Sequence, residues 1–296
     1  MLLFYPDRIA KLENGEEVAI KIGDKNITAD AMYTKLKEKY AIYELLDIVD
    51  SNILYDMYEL TEEDNEEIEN RADNYIRYYE ENYNISEEEF LENNGFANLN
   101  EFKKYLELDH LRKKYYDEYL TKQISEEEIE DYYDEEVFAP FNVEHILVKI
   151  SNDVTDEDAK EKAQEILDRL DDGEDWEDLK EEYEDEIITE ALKVDFDSNL
   201  EDEFKTTAIK LKDGKYSTSL VKTNYGYHII YRVETLETPE YDEVKERILE
   251  VLKNKYAKEN ENVYEKSMIF MREEAKMEIK DTELNEVYKK YTKDYD

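Results

Sequence analysis

Cysteine is absent from this 296-residue chain. Disulfides, a thiol nucleophile, a thiolate metal site and a lipid-modified cysteine within these residues are therefore excluded. With six glycines and three prolines, the chain has too few turn formers for a long all-β architecture. Basic residues are scarce, 39 Lys and Arg against 82 Asp and Glu, giving a net charge of −43. Nucleic acid is a poor partner for such a chain, because phosphate contacts need Lys and Arg. An anionic membrane surface is disfavoured for the same reason. No Walker loop, G-x-S-x-G or H-E-x-x-H occurs, and no cofactor or metal is expected. Asp195 to Asn199 imitates the start of a calcium loop, but Leu200 stands where glycine is needed and Thr206 where the closing glutamate belongs.

What is present is a 40% apolar fraction, enough for a core of about two domains, with 27 tyrosines adding apolar area that has a wettable end. Two of the three histidines lie in short strand-like runs, Val143 to Lys149 and Tyr225 to Arg232. Side chains alternate across a strand, so Val143, His145 and Leu147 share one face, and Ile146, Val148 and Ile150 the other. Both faces are apolar, as in a central strand. In the second run His228, Ile230 and Arg232 share a face. An imidazole on an apolar strand needs a hydrogen-bond partner, and two adjacent strands could supply one to each other. A buried pair that fixes the sheet and a pair that takes part in catalysis are both open readings.

The two runs, with the helical stretch containing Gly173, Trp176, Leu179 and Tyr183 and the segment Leu211 to Val221, resemble the parvulin (PpiC-type rotamase) prolyl isomerase domain. The flanks extend the resemblance over nearly the whole chain, to the PrsA and SurA-like chaperone family. Ile22 to Tyr33 resembles the opening of that family's chaperone region, residues 85–120 its short helix, turn and long helix, and 125–136 the helix leading into the parvulin domain.

The resemblance implies an α+β chain. A mainly helical chaperone module is expected from the N- and C-terminal segments, with an inserted parvulin-like domain built on a small antiparallel sheet flanked by helices. The expected division is a linker at 1–16 after a removed anchor, a helical region at 17–138, the isomerase domain at 139–237 and completing helices at 238–296. Ala139-Pro140 and Thr238-Pro239 punctuate the two joins. Residues 17–28 read as a hairpin, and Thr28, Thr61, Ser86, Asn98 and Ser125 as helix starts. The chain is expected to be helical again over about 240–276, with a last helix over 281–292. Acidic runs at 62–69, 86–89 and 126–130 read as solvated helix faces, and His110 as surface or satisfied core.

By the same resemblance, His145, His228 and Thr223 fall on the family's central polar positions, and Tyr225 where the family often has a small hydroxyl residue or a Tyr, all four as candidate catalytic residues. Leu200, Phe204 and Ala208 fall on its proline-pocket segment. Residues 183–196 depart from the pattern: the family's glycines are gone, and Glu186 takes the place of an Asp or Cys. The fold is expected to survive this change while catalysis is slowed or lost. The implied function is an extracytoplasmic, membrane-anchored folding factor that binds unfolded or partly folded secreted proteins and isomerises X-Pro bonds. Its anchor is expected upstream of Leu2, and a homodimer is one open assembly. Two rivals remain: a pure holdase with an inactive parvulin domain, and a helical adaptor for one dedicated partner.

Overall fold

The computed structural model describes residues 16–39, 41–183 and 187–295. The expected linker and anchor stump at 1–16 thus lie almost wholly outside the described residues, as does Glu186. Contacts gather the chain into two compact units, one reaching Lys122 and resuming at Ala257, the other running from Gln123 to Tyr256. Among the described residues, no helix is long and apolar enough to cross a membrane.

The first unit opens with an antiparallel hairpin, β1 (Val18–Ile22) and β2 (Lys25–Thr28). Gly23 turns it with φ +58°, a conformation that suits glycine. The Thr28 hydroxyl then accepts from the Ala31 amide and starts α1 (Ala29–Lys39), which α2 (Ala41–Met57) follows. The start signals read from sequence recur as capping boxes. Thr61 with Asp64 begins α3 (Glu62–Tyr83), and Ser86 with Glu89 begins α4 (Glu87–Asn93). Gly95, φ +81°, then lets the chain turn into α5 (Leu99–Gln123). Ile68, Ala72, Phe90, Leu91, Phe102 and Leu106 bury a shared core between α3, α4 and α5. Each large apolar side chain in it contributes roughly 1.5–3 kcal/mol.

The second unit begins with α6 (Glu126–Glu136), started by the Ser125–Glu128 capping box. Its sheet is antiparallel throughout, in the order β4 (Ile188–Val194), β3 (Phe141–Lys149), β7 (Gly226–Thr235), β5 (Lys215–Tyr216), with β6 (Val221–Lys222) also pairing β7. The histidine strands β3 and β7 are therefore neighbours at the centre. One sheet face carries α7 (Asp156–Asp171) and α8 (Trp176–Glu182), which bury Ile166, Leu167 and Leu179 against Ile146, Val148 and Ile229. The opposite face carries α9 (Asp202–Lys210), which seats Phe204 and Ala208 on Phe141, Val143 and Ile230.

Two features differ from the sequence expectation. This unit is larger than 139–237: Ile129 of α6 and Val244 and Ile248 of α10 (Tyr241–Glu259) form one buried cluster with Phe196, which follows β4. The helical stretch expected over 240–276 is also divided in two. Asn262 takes a left-handed backbone, φ +57°, so α10 ends and α11 (Val263–Glu274) begins anew. Last comes α12 (Thr282–Lys293), capped by Asp281. Met268 and Met271 of α11 complete a core with Leu54 of α2 and Leu108, Leu111 and Tyr115 of α5. The C-terminal segment from α11 onward thus joins the N-terminal helices, as expected of it.

Candidate active site

The antiparallel register of β3 and β7 sets Leu147 opposite His228 and Ile230 opposite His145. Positions two apart on a strand share a face, so the imidazoles meet diagonally on the α9 side. Their Nδ1 atoms are 3.1 Å apart and both side chains are buried. His228 Nε2 lies 2.8 Å from the Thr223 hydroxyl, which also accepts from the Tyr225 amide at 3.2 Å. Phe204 closes the cluster from below, edge-on to both rings, with centroids at 5.2 and 5.3 Å.

We assign the tautomers from the position of Glu190. It sits opposite His145 on β4, with its carboxylate 3.8 Å from His145 Nε2. A proton on Nε2 faces that negative charge favourably, whereas a lone pair there would oppose it. His145 Nδ1 is then the acceptor, His228 Nδ1–H donates to it, and His228 Nε2 accepts from Thr223. The result is one directed chain, Thr223 to His228 to His145, ending towards Glu190. Burial lowers the pKa of His145, with Glu190 opposing that shift. Burial, and then the adjacent imidazole, lower His228 to about 4. At neutral pH the pair is uncharged.

A cavity of about 590 Å³ opens onto this chain. Its polar lining includes His145, His228 and Thr223, and its apolar lining Leu147, Ile188, Leu192, Leu200 and Phe204. Tyr225 also lines it, from the rim, with its side chain exposed to solvent. Ala208 does not: it is fully buried beneath α9 and belongs to the apolar cluster of Phe141, Val143 and Ile230.

Residues with no place in the sequence reading also shape the site. Glu190 could have been found from the alternation Ile188, Glu190, Leu192, Val194, which marks β4 as a strand with this face inward. Arg247 of α10 left no such signal. It donates to Asp195 at 2.9 Å and to Asp197 at 2.8 Å, and its guanidinium stacks on Phe196. Lys205 adds hydrogen bonds to the carbonyls of Phe196 and Ser198. The segment that resembled a calcium loop is thus held by cationic side chains, and it leads directly to Leu200. Ser217, in the matched Leu211 to Val221 stretch, donates its amide to the Ile230 carbonyl and accepts the Ile230 amide on its hydroxyl.

The family model for the rotamase domain, the PPIC-type PPIase domain, matches residues 145–234. A foldase protein PrsA of Geobacillus kaustophilus is 30% identical over 280 residues, covering 93% of this chain and 90% of that protein. The chain belongs to the PrsA foldase family. A second PrsA foldase, from another Geobacillus strain, is 30% identical over 288 residues and 95% of both chains. The crystal structure of PrsA from Streptococcus pneumoniae superposes with a TM-score of 0.67 at 18% identity, over 92% of this chain and 98% of that one. That likeness extends the PrsA fold over the helical unit as well as the isomerase domain. The domain is a parvulin-type peptidyl-prolyl isomerase domain, and the α+β class expected from sequence holds.

Proposed function

We propose that this protein is an extracytoplasmic folding factor, tethered to the cell membrane by an N-terminal segment. It binds unfolded or partly folded secreted proteins and isomerises X-Pro bonds within them. The observation that carries the catalytic part is the Thr223–His228–His145 chain set above Phe204 in an open cavity. The net charge of −43 supports protein rather than nucleic acid as the client, and keeps complexes soluble.

The barrier to X-Pro rotation, about 18–20 kcal/mol, comes from the double-bond character of the amide. No covalent step is needed if the site binds the twisted amide better than either planar form. Phe204 and Leu200 offer apolar walls for the pyrrolidine ring. An apolar setting disfavours the charge-separated resonance form that keeps the amide planar. As the amide twists, its nitrogen becomes pyramidal and a better acceptor, and the polar edge of the cavity can then donate to it. The histidines themselves are neutral and add no charge beside the amide. Tyr225 caps the rim.

A protease-coupled isomerisation assay on a proline peptide tests the proposal. The full chain is expected to accelerate isomerisation, and His228→Ala or Phe204→Ala to remove at least tenfold of that acceleration. Unchanged catalysis in both folded variants would refute the assignment of the cavity.

A further inference from the structure

A second groove of about 820 Å³ adjoins the cavity and shares Glu201, Asp202 and Thr223 with it. Three carboxylates, Glu190, Glu201 and Asp202, line the histidine cavity, against one cation, Lys149. The adjoining groove adds Glu203 and Lys222, and Lys222 is already engaged by Asp156. Asp202 and Glu203 occupy the first turn of α9, where carboxylates commonly offset the helix dipole. Glu201 is different. It stands at the N-cap but makes no side-chain cap hydrogen bond. Its carboxylate instead accepts from the Asn224 amide at 3.2 Å, and Glu201 lines both cavities. The acidic group is thereby held at the mouth of the site rather than on the helix end.

We propose that the isomerase site selects prolines flanked by lysine or arginine, whose side chains lie between Glu201 and Asp202. This rests on the isomerase reading of the cavity. A peptide with its proline ring on Phe204 must send its neighbouring residues out along the shared wall. A cationic neighbour meets the carboxylates of Glu201 and Asp202 there, and an acidic neighbour is repelled.

The test is a comparison of Ala-Lys-Pro-Phe and Ala-Glu-Pro-Phe peptides with the full-length protein. At low ionic strength kcat/KM is expected to favour the lysine peptide by about tenfold, and the ratio to shrink towards unity in about 0.5 M salt. Glu201→Gln with Asp202→Asn should collapse the ratio, and Lys149→Gln should widen it. Opposite movements of a ratio are not produced by partial unfolding. Equal rates for the two peptides, or a preference for the glutamate peptide, would overturn the proposal. Failure to isomerise either peptide would instead defeat the isomerase reading. Fluorescence anisotropy of the same two peptides, labelled, would then decide the selectivity alone: preferential, salt-sensitive binding of the lysine peptide sustains it, and equal binding ends it.

Discussion

Asp50 and Arg272, 222 residues apart, form a two-point ion pair in the core of the first unit. Both are buried, and Asp50 also accepts from Arg112 of α5 at 2.6 Å. One carboxylate therefore joins α2, α5 and α11. Removing it would leave two guanidinium groups without their shared partner. Asp50→Ala is expected to destabilise the first unit by about 3–5 kcal/mol, the range for breaking a buried pair from one side. Denaturant unfolding followed by circular dichroism would measure this, and a loss below about 1 kcal/mol would show that Arg112 and Arg272 find water or other partners.

Protonation of the histidine pair fixes a pH dependence. The folded pKa of His228 is lowered to about 4 from an ordinary 6.5. The unfolded chain thus takes up a proton before the folded one does. Stability is full above about pH 6.5 and falls as the pH drops towards 4, by on the order of 3 kcal/mol from this residue. Isomerisation by the folded protein should stay flat from pH 9 down to about 5 and decline only as the pH approaches 4. His228→Gln should remove most of the stability slope between pH 6.5 and 4, and a slope unchanged in that variant would place its origin elsewhere.

Thr223→Val keeps the size of the side chain and deletes the donor to His228. It leaves His228 Nε2 unsatisfied in a buried site, a cost of about 1–3 kcal/mol. A fall of about tenfold in kcat with little change in KM is expected if the directed chain matters in the twisted state. A change in KM alone would limit Thr223 to shaping the cavity.

Gly226 begins β7 with φ +148°, and a Cβ there would lie 2.1 Å from the Val148 carbonyl oxygen. Gly226→Ala must push apart the two central strands. A loss of more than about 3 kcal/mol in the second unit is expected, read as a lower thermal midpoint, together with loss of isomerase activity. Wild-type stability in this variant would mean that β3 and β7 can separate there at no cost.

Separation of holding from catalysis is testable by excision. Removing only 141–236 would strip Phe196 from Ile129, Val244 and Ile248 and leave α6 and α10 with bare apolar faces. Removing 123–256 and closing the gap with a flexible linker follows the observed division instead. The second deletion is expected to stay monodisperse and to suppress aggregation of an unfolded client, whereas the first aggregates. Loss of all holding activity in the second would tie client binding to the isomerase unit.

Local chemistry made much of this protein legible in the sequence. Capping boxes at Thr61, Ser86 and Ser125, the glycine turns at 23 and 95, and the two-sided apolar pattern of β3 depend on residues within a few positions of each other. The histidine pair was legible because each histidine sits in an apolar, strand-like run, and because a parvulin resemblance set the two runs side by side. Tertiary structure alone decided the rest. Glu190 became the neighbour of His145 through the register of β4, which lies within a stretch read from sequence only as a departure from the family pattern. Arg247 reached Asp195 and Asp197, and Arg272 reached Asp50, over separations of 50 to 222 residues. An ion pair leaves no periodic trace in sequence, and in a chain with 82 acidic residues each arginine has many candidate partners. Only packing, which buries a few carboxylates and leaves the others in water, selects among them.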